Sequence, residues 1–266
     1  MIFMQTRTIC LHTITLVAVN ATLLVLATGC TEILIPDPRV RYIAFGDSAT
    51  AGKESNNYPE LLRDLLGEPR EVFALAGKGG ERSGEGLARF KGLLNADIYP
   101  NAEVLLYWEG GNDVTAFITA YDPLLVLSPA EPDYPFTDVL SAWLDETEDN
   151  LRQGVEVAQG AGLRVFLATY YFLREDLRVC DALLLDVILP AQAARTNYYV
   201  DALNERIRSV AVESGAVLVD IASEDDAIRA VRENYSDCNH LSERGNAIVA
   251  EIFHDAITAA DARSGN

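Results

Sequence analysis

A serine, a histidine and an aspartate stand in this sequence where they could act together. Ser48 lies in FGDSATAG, residues 45–52, directly after the apolar run RYIAFG. Near the other end, YSDCNHLSERG places Asp237 and His240 three residues apart on one short loop. A serine hydroxyl is a weak nucleophile until a base takes its proton, and the base needs an acceptor that fixes its tautomer. Asp-x-x-His supplies base and acceptor together. The chain has three histidines: His12 falls in the apolar N-terminal segment, and His254 in the helix-like EIFHDAI, where a solvated or packed imidazole is the ordinary reading. His240 is the remaining conventional base. Taken alone, a serine in such a turn is more often a helix N-cap than a nucleophile.

Two more segments could serve an oxyanion. EGGNDV, residues 109–114, carries Asn112, whose side-chain N–H could donate to a developing negative charge; an Asx turn or a helix cap accounts for it equally well. AGKGGERSGEG, residues 76–86, permits tight turns with open backbone amides, but lacks the G-x-G-x-x-G spacing and the terminal Lys-Ser/Thr of a phosphate loop. Glu109 is a carboxylate with two readings, a substrate contact or a structural hydrogen bond.

The elements that must position these groups alternate along the chain. RYIAFG (41–46), EVFALA (71–76), AEVLLYWEG (102–110), LRVFLATYYF (163–172) and AVLVDIA (216–222) are short continuous apolar runs, the pattern of strands buried on both faces. Between them, helical patterns cover 58–66, 84–94, 138–161, 191–214 and 242–262. Strand alternating with helix predicts an α/β fold, a three-layer α/β/α sandwich with about five parallel strands, whose ligands sit beyond the carboxyl ends of the strands. Ser48, the glycine-rich turn and Asn112 each follow such a strand. Segments 115–137, with four prolines, and 174–190, with its LLLDVIL run, break the rhythm and read as cleft walls or lids, or as simple packing.

The four blocks, in this order, resemble the SGNH-hydrolase superfamily, the GDSL esterases and lipases, from Tyr42 to the last helix. The resemblance implies a flavodoxin-like fold and ester hydrolysis without a cofactor. It makes Ser48 of GDS the nucleophile, and Asp237 and His240 of D-x-x-H its partners. Laid against N-x-G-x-x-G-x-x-S, LAGKGGERS makes Gly80 a backbone donor to the oxyanion hole, beside the Ser48 N–H and the Asn112 amide. Leu75 stands where many members carry Asn, and Ala49 replaces the Leu of GDSL. Neither position supplies a catalytic atom. An acyltransferase or a polysaccharide O-deacetylase would use the same residues, and a non-catalytic binding lipoprotein could keep the fold alone.

The N-terminus reads as an address. ITLVAVNATLLVL, residues 14–26, follows Arg7 and precedes ATGC; its 13 apolar residues fall short of the roughly 20 that span a bilayer and match a secretory h-region. The small residues before Cys30 resemble the bacterial lipobox, which implies cleavage at that point, a lipid anchor on Cys30, and an enzyme exported to the cell envelope. The expected organisation is a signal peptide at 1–29, a tether at 30–40 and one hydrolase domain at 41–266. In an oxidising compartment Cys180 and Cys238 become a candidate disulfide, since both should lie at the strand-end edge that carries the active site.

Composition narrows the partners. Forty Asp and Glu against 21 Lys and Arg give a formal charge of −19, which repels nucleic acid, and the few scattered Cys and His show no metal-site spacing. A small-molecule or saccharide ester is the expected substrate.

Overall fold

The computed structural model describes residues 6–8, 32–53, 56–175 and 190–264. In chain order the elements are β1 (Thr6–Thr8), β2 (Glu32–Leu34), β3 (Tyr42–Gly46), α1 (Ser48–Ala51), α2 (Tyr58–Leu66), β4 (Phe73–Gly77), α3 (Ser83–Asn95), β5 (Val104–Trp108), α4 (Gly111–Tyr121), α5 (Thr137–Gly160), β6 (Arg164–Ala168), α6 (Pro190–Ser214), β7 (Val217–Val219), α7 (Asp225–Arg229) and α8 (Glu243–Ser264). β1 and β2 form a separate antiparallel pair.

The other five strands form one parallel sheet in the order β4-β3-β5-β6-β7. Every residue of β3 and β5 is buried, which explains their unbroken apolar sequences, whereas the edge strands β4 and β7 keep partly exposed positions. α2 packs with α8, and α5 packs with both α3 and α6. On the α2–α8 side, Tyr58 stacks on Phe253 at 4.7 Å and meets the edge of Trp108 at 5.4 Å. The chain leaves β3 toward one neighbour and returns through β5 on the other side, so the sheet's switch point lies between β3 and β5. In open α/β sheets the crevice at that point takes the ligand.

The expected three-layer fold is observed, and the five apolar runs are the five strands. One expectation needs correcting. Residues 115–121 do not belong to an irregular insertion but complete α4, whose Val114, Phe117 and Ile118 recur at helical spacing and are buried. The remainder, 122–136, behaves as packing: Asp122 accepts the backbone N–H groups of Val126 and Leu127, Leu125 is buried, and the Tyr134 hydroxyl meets that of Tyr199 at 2.9 Å. Most of segment 174–190 lies outside the described residues, as do Cys10, His12, Cys30 and Cys180.

Candidate active site

Ser48 is the first residue of α1, where β3 ends at the switch point. Asp47 before it caps the turn, its carboxylate accepting the Ala49 N–H at 2.8 Å and the Tyr170 hydroxyl at 2.7 Å. The Ser48 hydroxyl lies 3.1 Å from His240 Nε2, across 192 residues of sequence. His240 Nδ1 lies 2.9 Å from Asp237 Oδ2. With the carboxylate on Nδ1, the proton belongs on that nitrogen, and Nε2 is left to accept from the serine.

The loop that carries the pair is closed on itself. Tyr235 pairs with Leu241, Ser236 N–H donates to the His240 carbonyl at 2.9 Å, and Asp237 Oδ1 accepts the backbone N–H groups of Asn239 and His240 at 2.7 and 2.6 Å. Tyr171 reaches in to donate to the Asn239 carbonyl at 2.5 Å. Lys53 Nζ donates to Asp237 Oδ2 at 2.6 Å. Burial opposes ionisation of Asp237, but the hydrogen bonds from His240 and Lys53 prevail and hold its carboxyl well below the usual range.

The glycine-rich segment forms a turn closed by Glu81 N–H to the Lys78 carbonyl at 3.3 Å, with Gly80 at φ +76°, a conformation that favours glycine. The turn sits close to α1 and Ser48 because Gly77 has no side chain: a Cβ there would come within 2.2 Å of the Ala51 nitrogen. A Cβ on Gly79 would lie 3.9 Å from Ser48 Cβ, so this side of the turn adjoins the serine. Among the described residues, neither Gly79 nor Gly80 spends its N–H on another backbone carbonyl. Asn112, in the first turn of α4, donates one amide proton to the Glu81 carbonyl at 2.9 Å and lines the same cleft as Ser48 and His240. An amide has a second proton, which could donate to an oxyanion in that cleft. Asp113, its neighbour, takes the Ser83 N–H and hydroxyl at 2.8 and 2.9 Å and serves to join α4 to α3.

This arrangement can activate a serine and receive a tetrahedral oxyanion. The GDSL-like lipase/acylhydrolase family matches residues 44–248, which include all four blocks. The chain belongs to this family. It is accordingly a serine ester hydrolase. No curated protein matches the sequence. Solved structures similar to it include a lipolytic protein of the G-D-S-L family from Veillonella parvula, at 15% identity and TM-score 0.58, covering 82% of this chain and 98% of that one. An acetyl xylan esterase, AlAXEase, shares 20% identity at TM-score 0.54 over 82% and 100% of the two chains. The psychrotrophic esterase EstA from a Pseudoalteromonas species shares 17% at TM-score 0.52 over 82% and 97%. At these identities the likeness concerns the fold.

Replacing Asn112 by Ala in this GDSL-like hydrolase is expected to lower kcat about 10²- to 10³-fold with a smaller change in KM, because the amide's second proton meets charge that exists only in the transition state. Steady-state kinetics on p-nitrophenyl acetate check it; an unchanged kcat would remove Asn112 from the oxyanion hole.

Buried carboxyl groups crowd this part of the hydrolase. Glu81 is fully buried and pairs with Arg89 and Lys78, which outweigh its burial and hold it ionised. Asp47 is pushed up to about 6 by burial, against the hydrogen bonds from Ala49 and Tyr170. Glu109 corrects one of the two expectations placed on it, the substrate contact. It does not line the described cleft around Ser48 but is buried beside Glu81, to whose carboxylate its protonated carboxyl can donate. Burial, with Asp47 and Glu81 nearby, pushes its carboxyl up to about 10, so it is neutral at physiological pH.

A folded-state value above the ordinary one means that Glu109 contributes stability present in full below about pH 4.5 and lost as the pH climbs toward about 10. Glu109→Gln, a permanently neutral isostere, is expected to flatten the fall in thermal stability between pH 5 and 9, by up to about 1.4 kcal/mol per pH unit. Parallel stability curves for the two proteins would show that Glu109 is ionised.

Sequence reasoning missed the other walls of the site. The cleft encloses about 60 Å³ and is bounded by Tyr170 and Tyr171, just after β6, and by Thr196, Val200 and Leu203 of α6. The buried side chain of Asn204 fixes the first wall, pairing with both the N–H and the carbonyl of Tyr170 at 2.7 and 2.8 Å. The signal for the tyrosines was present: TYYF follows a predicted strand, where ligand-facing residues belong. Among the described residues, no group of three or more His, Cys, Asp or Glu side chains could hold a metal ion.

Proposed function

We propose that this hydrolase is exported and cleaves carboxylic esters of short acyl groups by acyl transfer to Ser48 and then to water. His240 takes the hydroxyl proton as Ser48 Oγ attacks the ester carbonyl, and Asp237 stabilises the imidazolium that forms. The oxyanion is received by the backbone N–H groups of Ser48 and Gly80 and by the Asn112 amide. The tetrahedral intermediate collapses, His240 returns the proton to the departing alcohol, and water repeats the sequence to release the acid. The observation that carries this reading is the unbroken contact chain from Ser48 Oγ through His240 to Asp237, at 3.1 and 2.9 Å.

A short acyl group fits the cleft, whose roughly 60 Å³ falls far below the few hundred that a drug-sized ligand occupies. The same observation supports a second reading, a polysaccharide O-deacetylase, whose acyl group is the shortest and whose alcohol stays outside the cleft. One of the similar solved structures is an acetyl xylan esterase. The charge of −19 disfavours polyanionic substrates. Hydrolysis of p-nitrophenyl esters from acetate to palmitate, alongside acetylated xylan, tests the proposal: activity should be greatest on acetate, and a preference for palmitate overturns the short-acyl reading. An acyltransferase would show itself by acyl transfer to an added alcohol in preference to water.

Export rests on the apolar run at 14–26 and on ATGC, residues 27–30. Anchoring through Cys30 predicts a mature N-terminus carrying several acyl chains, since one chain alone holds a membrane only marginally. Mass spectrometry of that terminus decides it, and an unmodified chain starting elsewhere refutes the anchor. Cys238 is buried in the loop between Asp237 and His240. A bond to Cys180 would close a loop of nearly 60 residues, stabilise the fold by about 4 kcal/mol in the chain-entropy model, and pin that loop. Free thiols at both positions in the unreduced, denatured protein would refute it.

A further inference from the structure

A cation touches the carboxylate that orients His240. Lys53 stands just beyond α1, on a stretch fixed by Asn57, whose side-chain amide donates to the Thr50 and Ala51 carbonyls at 3.0 and 2.9 Å. From there Lys53 Nζ meets Asp237 Oδ2 at 2.6 Å, across 184 residues of sequence. The lysine side chain is 52% exposed and the aspartate side chain 4%. Oδ2 is also the oxygen that His240 Nδ1 contacts at 2.9 Å, while Oδ1 is occupied by two backbone N–H groups. Two donors therefore converge on one oxygen, and the ammonium nitrogen lies no more than about 5.5 Å from Nδ1, the two contacts laid end to end.

We propose that Lys53 is a positioning residue of the catalytic group, one that locks the Asp237 carboxylate toward His240 and offsets part of the negative charge that favours the imidazolium. The inference rests on the reading of Ser48, His240 and Asp237 given above. Among the described residues the other groups around His240 are the Asp47 carboxylate from the β3–α1 turn, the Ser48 hydroxyl of α1, and the Tyr170 and Tyr171 hydroxyls after β6. α6 brings only uncharged residues to the cleft, and α8 reaches this loop through the Asn246 amide. Lys53 thus sets a positive charge against the Asp237 carboxylate, and that charge should be felt directly in how readily His240 takes a proton.

The sign follows from Coulomb's law. Removing a positive charge beside Asp237 makes an imidazolium at His240 more favourable, so the acid limb of kcat/KM, below which the base is protonated, moves to higher pH. At about 5.5 Å, in surroundings close to the dielectric of water, the shift is about 0.5 to 1 pH unit. Lys53→Met is expected to show that upward shift and Lys53→Arg to restore the original limb. Lys53→Gln serves as a second neutral variant if the Met variant unfolds at a lower temperature. NMR titration of the His240 ring, identified by comparison with His254→Gln, reads the same shift without substrate. That arm tests Lys53 even if the ester-hydrolase reading fails, and loss of turnover in Ser48→Ala tests that reading separately. An acid limb and a ring titration that stay in place or move to lower pH in both neutral variants would overturn the proposal. So would an arginine variant that behaves like the methionine one.

Discussion

Ser48→Ala is expected to lower kcat for p-nitrophenyl acetate by about 10⁴- to 10⁶-fold, the range seen when a serine nucleophile is removed and only binding and oxyanion stabilisation remain. The hydroxyl meets His240 at 3.1 Å, a contact of the site and not of the fold, so its loss breaks no structural link. Asp47 continues to cap the turn through the Ala49 N–H. The variant should therefore match the wild type in circular dichroism and melting temperature while turnover falls to the residual level. Retained turnover in the folded variant would show that another group attacks the ester.

His240→Ala should cost nearly as much, and Asp237→Asn less, about 10³- to 10⁴-fold. The difference comes from their roles. Without His240 the Ser48 hydroxyl loses the base it contacts, and the neighbouring Asp47 carboxylate is committed to the Ala49 N–H and the Tyr170 hydroxyl. Without a charged Asp237 the imidazole remains but loses the acceptor for Nδ1, and the two tautomers compete. Asp237 Oδ1 also takes two backbone N–H groups, so the asparagine variant keeps the loop closed if its amide oxygen occupies that position. Equal losses for the aspartate and histidine variants would indicate a collapsed loop, which the melting temperature would register.

The reasons why some of this was legible in the sequence, and some not, are physical. Strands buried on both faces need unbroken apolar runs, so β3 and β5 announced themselves, and the residues following them, Ser48 and Asn112, could be placed at the cleft. The hydrogen bonds that close the loop with Asp237 and His240 on itself span two to four residues, and its chemistry was visible in four letters, DCNH. α4 was harder, because its first turn is the GGND block itself and glycine and asparagine read as loop until the spacing of Val114, Phe117 and Ile118 is counted. Lys53 was not legible at all. Its partner lies 184 residues away, and nothing in GKES distinguishes it from a solvated surface lysine. Glu109 invited a substrate-contact reading because it adjoins a catalytic block, whereas it is buried as a neutral acid beside Glu81.

The most direct test of the account is to trap the nucleophile with diethyl p-nitrophenyl phosphate. Ser48 Oγ would attack phosphorus, p-nitrophenolate would leave, and His240 would take the hydroxyl proton, leaving a diethylphosphoryl group on the serine. The account predicts one p-nitrophenolate released per chain, hydrolysis lost in step with that release, and the added mass on the peptide containing Ser48. Full modification at another residue, or undiminished hydrolysis by a protein fully modified at Ser48, would contradict it.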